Sequence, residues 1–140
     1  MQADPIRIEE TINTSIEKLW SALTNPEEMA QWYFELPKFE AEEGFQIHFS
    51  SCDYLHRWVV TKVIPHHIIE YKWSYPDYPG ESLLNVELLY INEYATKLVL
   101  VHEGVETFPQ DRTEFSRASF EEGWNEIIKN LHEYVEETVG

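Results

Sequence analysis

Aromatic residues that recur at alternate positions are the part of this sequence best suited to binding chemistry. Tyr71 and Trp73 alternate with polar residues over 67–75, and Phe49 ends a shorter alternating run. Because successive side chains of a strand point to opposite faces, such residues share one face of a sheet. That face either fills a core or lines a pocket for a hydrophobic ligand, in which a phenol or an indole N–H fixes the ligand's orientation.

The candidate ligand-binding residues are the large or polar members of this face and of the helix predicted to cover it. They are Phe49, Trp58, Tyr71, Trp73, His102, Trp124 and Ile128. His102 alternates with Leu98 and Leu100, so we expect it to be buried. A buried histidine can transfer protons in a pocket, whereas a histidine with hydrogen-bond partners in the core is structural and is the more common case.

Other chemistry has little support in the sequence. The six histidines lack the His-Glu-x-x-His spacing of a metal site. Cys52 is the only cysteine, so neither an intrachain disulfide nor a multi-cysteine zinc site can form. Neither a Gly-x-Ser-x-Gly elbow nor a phosphate-binding glycine loop is present. We therefore predict no catalytic residue, no cofactor and no metal, and favour a non-catalytic protein.

The length, composition and charge of the chain limit the classes of partner it can bind. The chain has 140 residues, which fits a single domain over 1–140, and it has five Trp, eight Tyr and seven Phe. Its net charge of −16 argues against nucleic-acid binding and could suit a basic protein surface. No segment reaches membrane-span length and no signal peptide is evident, so we expect a cytoplasmic protein, either a monomer or a homodimer.

The order of predicted elements begins with a strand near 6–13 and two short helices. Thr14 and Glu17 read as a capping box for the first helix, and Asn25 caps the second, with Pro26 at its first position. Strand patterns follow at 45–49, 57–64, 67–75, 82–91 and 96–103, with a hairpin at residues 51–56. Consecutive strands with short connections predict an antiparallel meander.

The last thirty residues carry the longest helical pattern. An apolar stripe recurs at three- and four-residue steps, with glutamates opposite: Phe120, Trp124, Ile127, Ile128, Leu131, Tyr134, Val135 and Thr138. A helix of about 25 residues is expected there, and at about 1.5 Å per residue it would span nearly 40 Å. Only a broad concave sheet can cover such a stripe, which predicts an α+β fold of two layers.

These features resemble the START/birch-pollen-allergen-like (Bet v 1-like, SRPBCC) superfamily with its helix-grip fold, and within it the branch named for activators of the heat-shock protein 90 ATPase. The matching residues are 16–20, 22–26, 31–33, Gly44, Pro65, Tyr71, Trp73, 96–98, 102–104, Gly123 and Trp124. The resemblance implies a curved antiparallel sheet around a long C-terminal helix, with two short helices after the first strand. It also implies a cavity between sheet and helix.

Three functions are open on these grounds. The favoured one is a non-catalytic domain that binds a hydrophobic small molecule or lipid in that cavity. The second is a co-chaperone-like domain whose acidic surface meets a basic patch on a chaperone such as heat-shock protein 90. The third is a polyketide cyclase/dehydratase-like enzyme, because the superfamily includes cyclases that work mainly by shaping a pocket.

Overall fold

The computed structural model describes residues 4–51 and 54–137, in which six strands form one antiparallel sheet and three α-helices lie against it. The strands are β1 (Ile6–Ile12), β2 (Gln46–Ser51), β3 (Tyr54–Ile64), β4 (Ile68–Ser74), β5 (Ser82–Asn92) and β6 (Ala95–Glu103). The helices are α1 (Ile16–Thr24), α2 (Pro26–Trp32) and α3 (Arg117–Glu137). Two single 3₁₀ turns, Val105–Thr107 and Thr113–Phe115, lie between β6 and α3.

The sheet order is β1-β6-β5-β4-β3-β2, so β1 and β2 form opposite edges. The chain must cross from one edge to the other between them, and α1 and α2 make this crossing while α1 contacts β5 and β6. Helix α3 contacts α1, α2 and β1. The predicted α+β helix-grip fold, with the long helix held by a curved sheet, is confirmed.

The predicted cap is correct for α2 and wrong for α1. Asn25 accepts a hydrogen bond from the Glu27 N–H at 2.9 Å and Pro26 is the first helical residue, as predicted. The prediction that Thr14 caps α1 is wrong, because Ser15 is the cap and accepts from the Lys18 N–H. Thr14 is instead buried beside β6, where its carbonyl accepts from the Thr96 hydroxyl at 3.0 Å.

The closing helix begins later than its sequence pattern. Helix α3 starts at Arg117, because residues 113–115 form a 3₁₀ turn capped by Ser116, and it continues for 21 residues to Glu137, the last residue described. Trp124, Ile128, Leu131 and Val135 are its buried residues, so the predicted apolar stripe is correct within α3. Thr138 and Cys52 lie outside the described residues.

Strand β3 begins earlier than the sequence pattern indicated. It starts at Tyr54 and pairs with β2 from there, with Phe49 opposite His56 and Ile47 opposite Trp58. The predicted hairpin is present between β2 and β3, but the predicted start of the strand at Arg57 is three residues too late. The extension matters because it places His56 on the concave face of the sheet, where it is buried.

Candidate functional site

The space between the sheet and α3 divides into a closed part and an open part. The closed part is a central cavity of about 20 Å³ lined by apolar and aromatic side chains that include Tyr71, Leu100 and Ile128. A cavity of this volume holds about one water molecule. The middle of the interface is therefore filled by side chains and has no room for an organic ligand.

The open part, called here the groove, has a volume of about 280 Å³ and lies along the N-terminal half of α3. Its lining is mostly aromatic and comprises Phe34, Tyr54, His56, Trp73, Tyr75, Glu114, Phe115, Ser119, Phe120, Gly123, Trp124 and Ile127. Sites for drug-sized ligands have volumes of about 300–1,000 Å³ with few polar groups. The groove lies just below that range, which suits a molecule of two or three rings.

His56 is the titratable imidazole on the floor of the groove. Its Nδ1 lies 3.0 Å from the Tyr54 carbonyl oxygen, and since a carbonyl only accepts, Nδ1 carries the proton. Burial lowers the pKa of His56, and the hydrogen bond to Tyr54 opposes this shift only in part. The ring is thus neutral near pH 7, with a lone pair on Nε2 that has no partner among the described residues.

The rings around His56 fix its orientation. Phe49 stacks on it with ring centroids 4.9 Å apart and planes at 13°, and Trp73 meets it edge-on at 5.8 Å. Tyr75, the next aromatic residue along β4's face, lies 4.8 Å away. A neutral imidazole held in this way is a fixed hydrogen-bond acceptor in an aromatic wall.

The rim of the groove carries a small polar cluster. The Tyr54 hydroxyl donates to a Glu114 carboxylate oxygen at 2.7 Å, and the Arg112 guanidinium donates to the Tyr78 hydroxyl at 3.1 Å. The hydrogen bond from Tyr54 lowers the pKa of Glu114, which keeps this carboxylate ionised at neutral pH. The rim thus places a negative charge at the groove, with Arg112 3.7 Å from the other Glu114 oxygen.

His102 lies behind the groove in a closed hydrogen-bond chain. The Trp124 indole N–H donates to its Nδ1 at 2.9 Å, and its Nε2 lies 2.7 Å from the Ser82 hydroxyl, which donates in turn to the Trp73 carbonyl. Nδ1 therefore accepts and Nε2 carries the proton. Burial lowers the pKa of His102 to about 3, so it stays neutral and ties α3 to β4, β5 and β6.

Gly123 lies on the helix side of the groove, and its role differs from the one expected. A glycine inside a helix costs roughly 1 kcal/mol relative to alanine, so close packing of α3 onto the sheet is the expected reason for a glycine there. A Cβ at Gly123 would instead meet no atom within 4 Å, so the expectation is wrong. The missing side chain leaves space at the groove rather than bringing two backbones together.

The seven candidate residues fall in three places. Trp73 and Trp124 line the groove, while Tyr71 and Ile128 line the central cavity, which Trp124 also borders. The other three lie in the wall behind the groove: Phe49, Trp58 and His102. The structure therefore brings two of the seven to the groove's surface.

Sequence reasoning missed His56, Phe34 and Phe120 as groove residues. For His56 a signal existed, since Tyr54, His56, Trp58 and Val60 alternate in step with the rest of β3. For Phe34 there was none, because it lies between α2 and β2, outside any periodic element. Its ring packs edge-on against Trp73 and Trp58, at 5.7 Å and 5.5 Å.

Two indole N–H groups in this wall have no hydrogen-bond acceptor among the described residues. They belong to Trp58 and Trp73, both buried. A buried donor without a partner costs about 1–3 kcal/mol, and such groups are rare in native proteins. The cost is concentrated beside the groove, where binding commonly takes precedence over stability.

Within the described ranges 4–51 and 54–137, three or more histidine or acidic side chains nowhere gather as they would around a metal ion. None of the helices there is long and apolar enough to cross a membrane.

Comparison with known proteins adds a family and a fold. The profile of the family described as activator of Hsp90 ATPase homolog 1-like protein matches residues 13–136. No curated protein gives a significant match. Three similar solved structures are DynU16, a protein in the dynemicin biosynthetic locus, a protein from Mesorhizobium loti, and the Aha1 dimer from Colwellia psychrerythraea.

These likenesses extend over nearly the whole chain at low identity. DynU16 is 23% identical with a TM-score of 0.78, and the alignment covers 96% of this chain but 48% of DynU16, so the chain spans about half of that protein. The Mesorhizobium protein is 23% identical (TM-score 0.77; 96% and 98% covered). The Colwellia protein is 19% identical (TM-score 0.78; 99% and 100% covered). At such identities the shared property is the fold.

Proposed function

This chain belongs to the family of activator of Hsp90 ATPase homolog 1-like proteins, and we propose that it binds a small hydrophobic molecule in the groove between its sheet and α3. The observation that carries the proposal is the groove itself, about 280 Å³ of space with an aromatic lining and few polar groups. A concave, mostly apolar site with a few oriented polar groups is what small-molecule binding needs.

The chemistry of the walls supports binding over packing. The closed part of the same interface has a cavity of only about 20 Å³, so side chains can fill the space between sheet and helix in this fold. At the groove they leave it open, with a neutral histidine on the floor and no side chain on Gly123. Bound ligand would bury surfaces of Phe120 and Ile127 that are only half-buried now.

A thermal-shift screen of hydrophobic and aromatic compounds tests the proposal, with a variant whose groove is filled. Gly123→Leu adds a side chain at a position with free space, so it should fold normally and lose ligand-induced stabilisation. Ala118→Leu adds a similar side chain at an exposed position of the same helix and should retain it. Stabilisation that persists unchanged in Gly123→Leu would show that ligands bind elsewhere.

A second candidate function is a protein contact at the β5–β6 hairpin. Four large apolar side chains are exposed there, namely Leu89, Tyr90, Ile91 and Tyr94, and Tyr94 is 78% exposed. Exposed aromatic side chains close together favour a protein partner. The family name and the net charge of −16 suggest a basic chaperone surface.

Titration of the protein with a heat-shock protein 90 middle domain, at low and at high salt, tests this second function. Binding that weakens with salt, stimulates the chaperone's ATPase and is lost in the double variant Tyr90→Ser/Tyr94→Ser would support it. Unchanged ATPase activity at saturating protein would count against it. Sedimentation of the protein alone would show whether the hairpin instead joins two copies.

A reaction in the groove is the third possibility, and His56 is the observation that favours it. Its neutral Nε2 is positioned as a general base would be. Ligand turnover by the wild type, and its absence in His56→Phe, would separate an enzyme from a binding protein.

A further inference from the structure

His56 gives the floor of the groove a hydrogen-bond acceptor whose direction is fixed. The bond from Nδ1–H to the Tyr54 carbonyl, at 3.0 Å, sets the tautomer, so Nε2 can only accept while the ring is neutral. The stacked Phe49 ring and the edge-on Trp73 ring prevent the imidazole from turning to another partner. Nε2 of His56 can therefore be satisfied by a ligand group that donates a hydrogen bond.

The charges around the groove disfavour one class of ligand. Among the described residues that line it there is neither Lys nor Arg, and the ionised carboxylate of Glu114 at its rim is already paired with Arg112, whose Nε lies 3.7 Å away. An anionic ligand such as a fatty acid would lose its hydration in the groove with no unpaired cation in the lining to compensate. The groove therefore suits a neutral molecule better than a carboxylate.

The aromatic lining of the groove favours flat ligands. Faces and edges of Phe34, Trp73, Phe120 and Trp124 form much of the lining. Aromatic rings stack or meet edge-to-face at centroid separations of about 4.5–7 Å, and the wall rings already contact one another in this range. A planar ligand ring can join the cluster in the same way.

From these observations, and resting on the proposed function, we infer that the ligand is a neutral planar ring compound whose hydroxyl donates a hydrogen bond to Nε2 of His56. The hydroxyl supplies the missing donor, the ring extends the aromatic cluster, and the absence of charge suits a lining that has no unpaired cation. Trp73 borders the same position, since its ring centroid lies 5.8 Å from that of His56. The ligand oxygen thus lies beside a ring whose own N–H has no acceptor among the described residues.

Three matched probes separate the parts of this inference in the wild-type protein. They are 2-naphthol, its methyl ether, which keeps the oxygen but cannot donate, and 2-naphthoate, which carries a charge. Dissociation constants from tryptophan fluorescence at pH 7.5 should place 2-naphthol about tenfold tighter than the methyl ether, the effect of leaving one buried acceptor unpaired. The naphthoate should bind weakest. Equal binding of naphthol and ether would overturn the inference.

Two variants locate the effect. His56→Phe keeps a ring that stacks on Phe49 but removes both nitrogens, so the preference for naphthol over ether should collapse to less than about twofold. His48→Phe makes the same exchange at an exposed position of the neighbouring strand and should keep the preference. A preference that survives in His56→Phe would overturn the assignment of Nε2.

A measurement without mutation covers the case in which His56→Phe fails to fold. The ¹⁵N resonance of His56 Nε2 should move towards the hydrogen-bonded range when 2-naphthol is added and stay in place with the ether. No movement at saturating naphthol would overturn the inference. If neither compound binds at all, the proposed function fails for this ligand class as well, whereas equal binding of both overturns the inference alone.

Discussion

The two halves of α3 meet the same sheet in different ways. In the C-terminal half Ile128, Leu131 and Val135 are buried and the space is reduced to about 20 Å³. In the N-terminal half Phe120 and Ile127 are only half-buried, Gly123 has no side chain, and about 280 Å³ stays open. A few side chains along one helix thus determine where the interface with the sheet is packed and where it is open to a ligand.

Two histidines repeat this contrast at the level of single atoms. His102 uses both ring nitrogens, one accepting from Trp124 and one next to the Ser82 hydroxyl. His56 uses one nitrogen on a backbone carbonyl, and its other nitrogen has no partner among the described residues. Both are buried and neutral, so burial alone would not separate them. The unused nitrogen is what distinguishes a binding group from a structural one.

Trp124 stands between the two regions, and its removal should have the largest effect. Trp124→Ala would join the cavity to the groove and leave His102 without its donor. We expect a loss of about 3–5 kcal/mol in the free energy of unfolding, as for other large-to-small core substitutions. Urea denaturation measures it. Phe120→Ala, at a half-buried groove position, should cost clearly less, and equal costs would contradict the division into two regions.

Acid should weaken the closed region through His102. Its pKa in the folded protein is about 3, below the unfolded value near 6.5, so only the unfolded state gains the proton as the pH falls between these values. Stability should therefore drop by about 1.4 kcal/mol per pH unit for this group below pH 6.5. His56, whose pKa is also lowered by burial, adds to the same slope.

Denaturant midpoints measured between pH 7 and pH 5 give this slope. The range lies above the pH at which carboxylates with lowered pKa values contribute, namely those of Glu9, Glu114 and Glu136. His102→Gln should be less stable at pH 7 but should lose less on acidification. An unchanged slope in that variant would mean that His102 is protonated in the folded protein.

The substitution Gly123→Ala, at the edge of the open groove, should stabilise the protein slightly. Gly123→Ala places a methyl group where no atom lies within 4 Å, so no strain is introduced. Alanine is favoured over glycine within a helix by about 0.5–1 kcal/mol, and the free energy of unfolding should rise by that amount. A loss of stability on thermal or urea unfolding would mean that α3 lies closer to the sheet in solution.

The sequence was sufficient for the fold because the fold depends on repeated patterns. Alternation along β2 to β6 and the stripe on α3 each involve several residues, so single irregularities do not hide them. The groove depends on particulars that no pattern contains. Phe34 lines the groove from a segment without a periodic pattern. Gly123 contributes because the space beside it is empty, which only the structure shows. His56 lay within reach, since its alternation with Trp58 continues the strand.

The most direct test of the central claim is a ¹H–¹⁵N NMR titration of the wild-type protein with 2-naphthol. Shift changes should be largest at groove residues such as Ser119, Gly123 and Ile127, and at the Trp73 and Trp124 indole N–H groups. Leu131 and Val135 in the closed half of α3 should change least. Changes concentrated at Tyr90 and Tyr94 on the β5–β6 hairpin, or no saturable change at all, would contradict a ligand site between the sheet and the N-terminal half of α3.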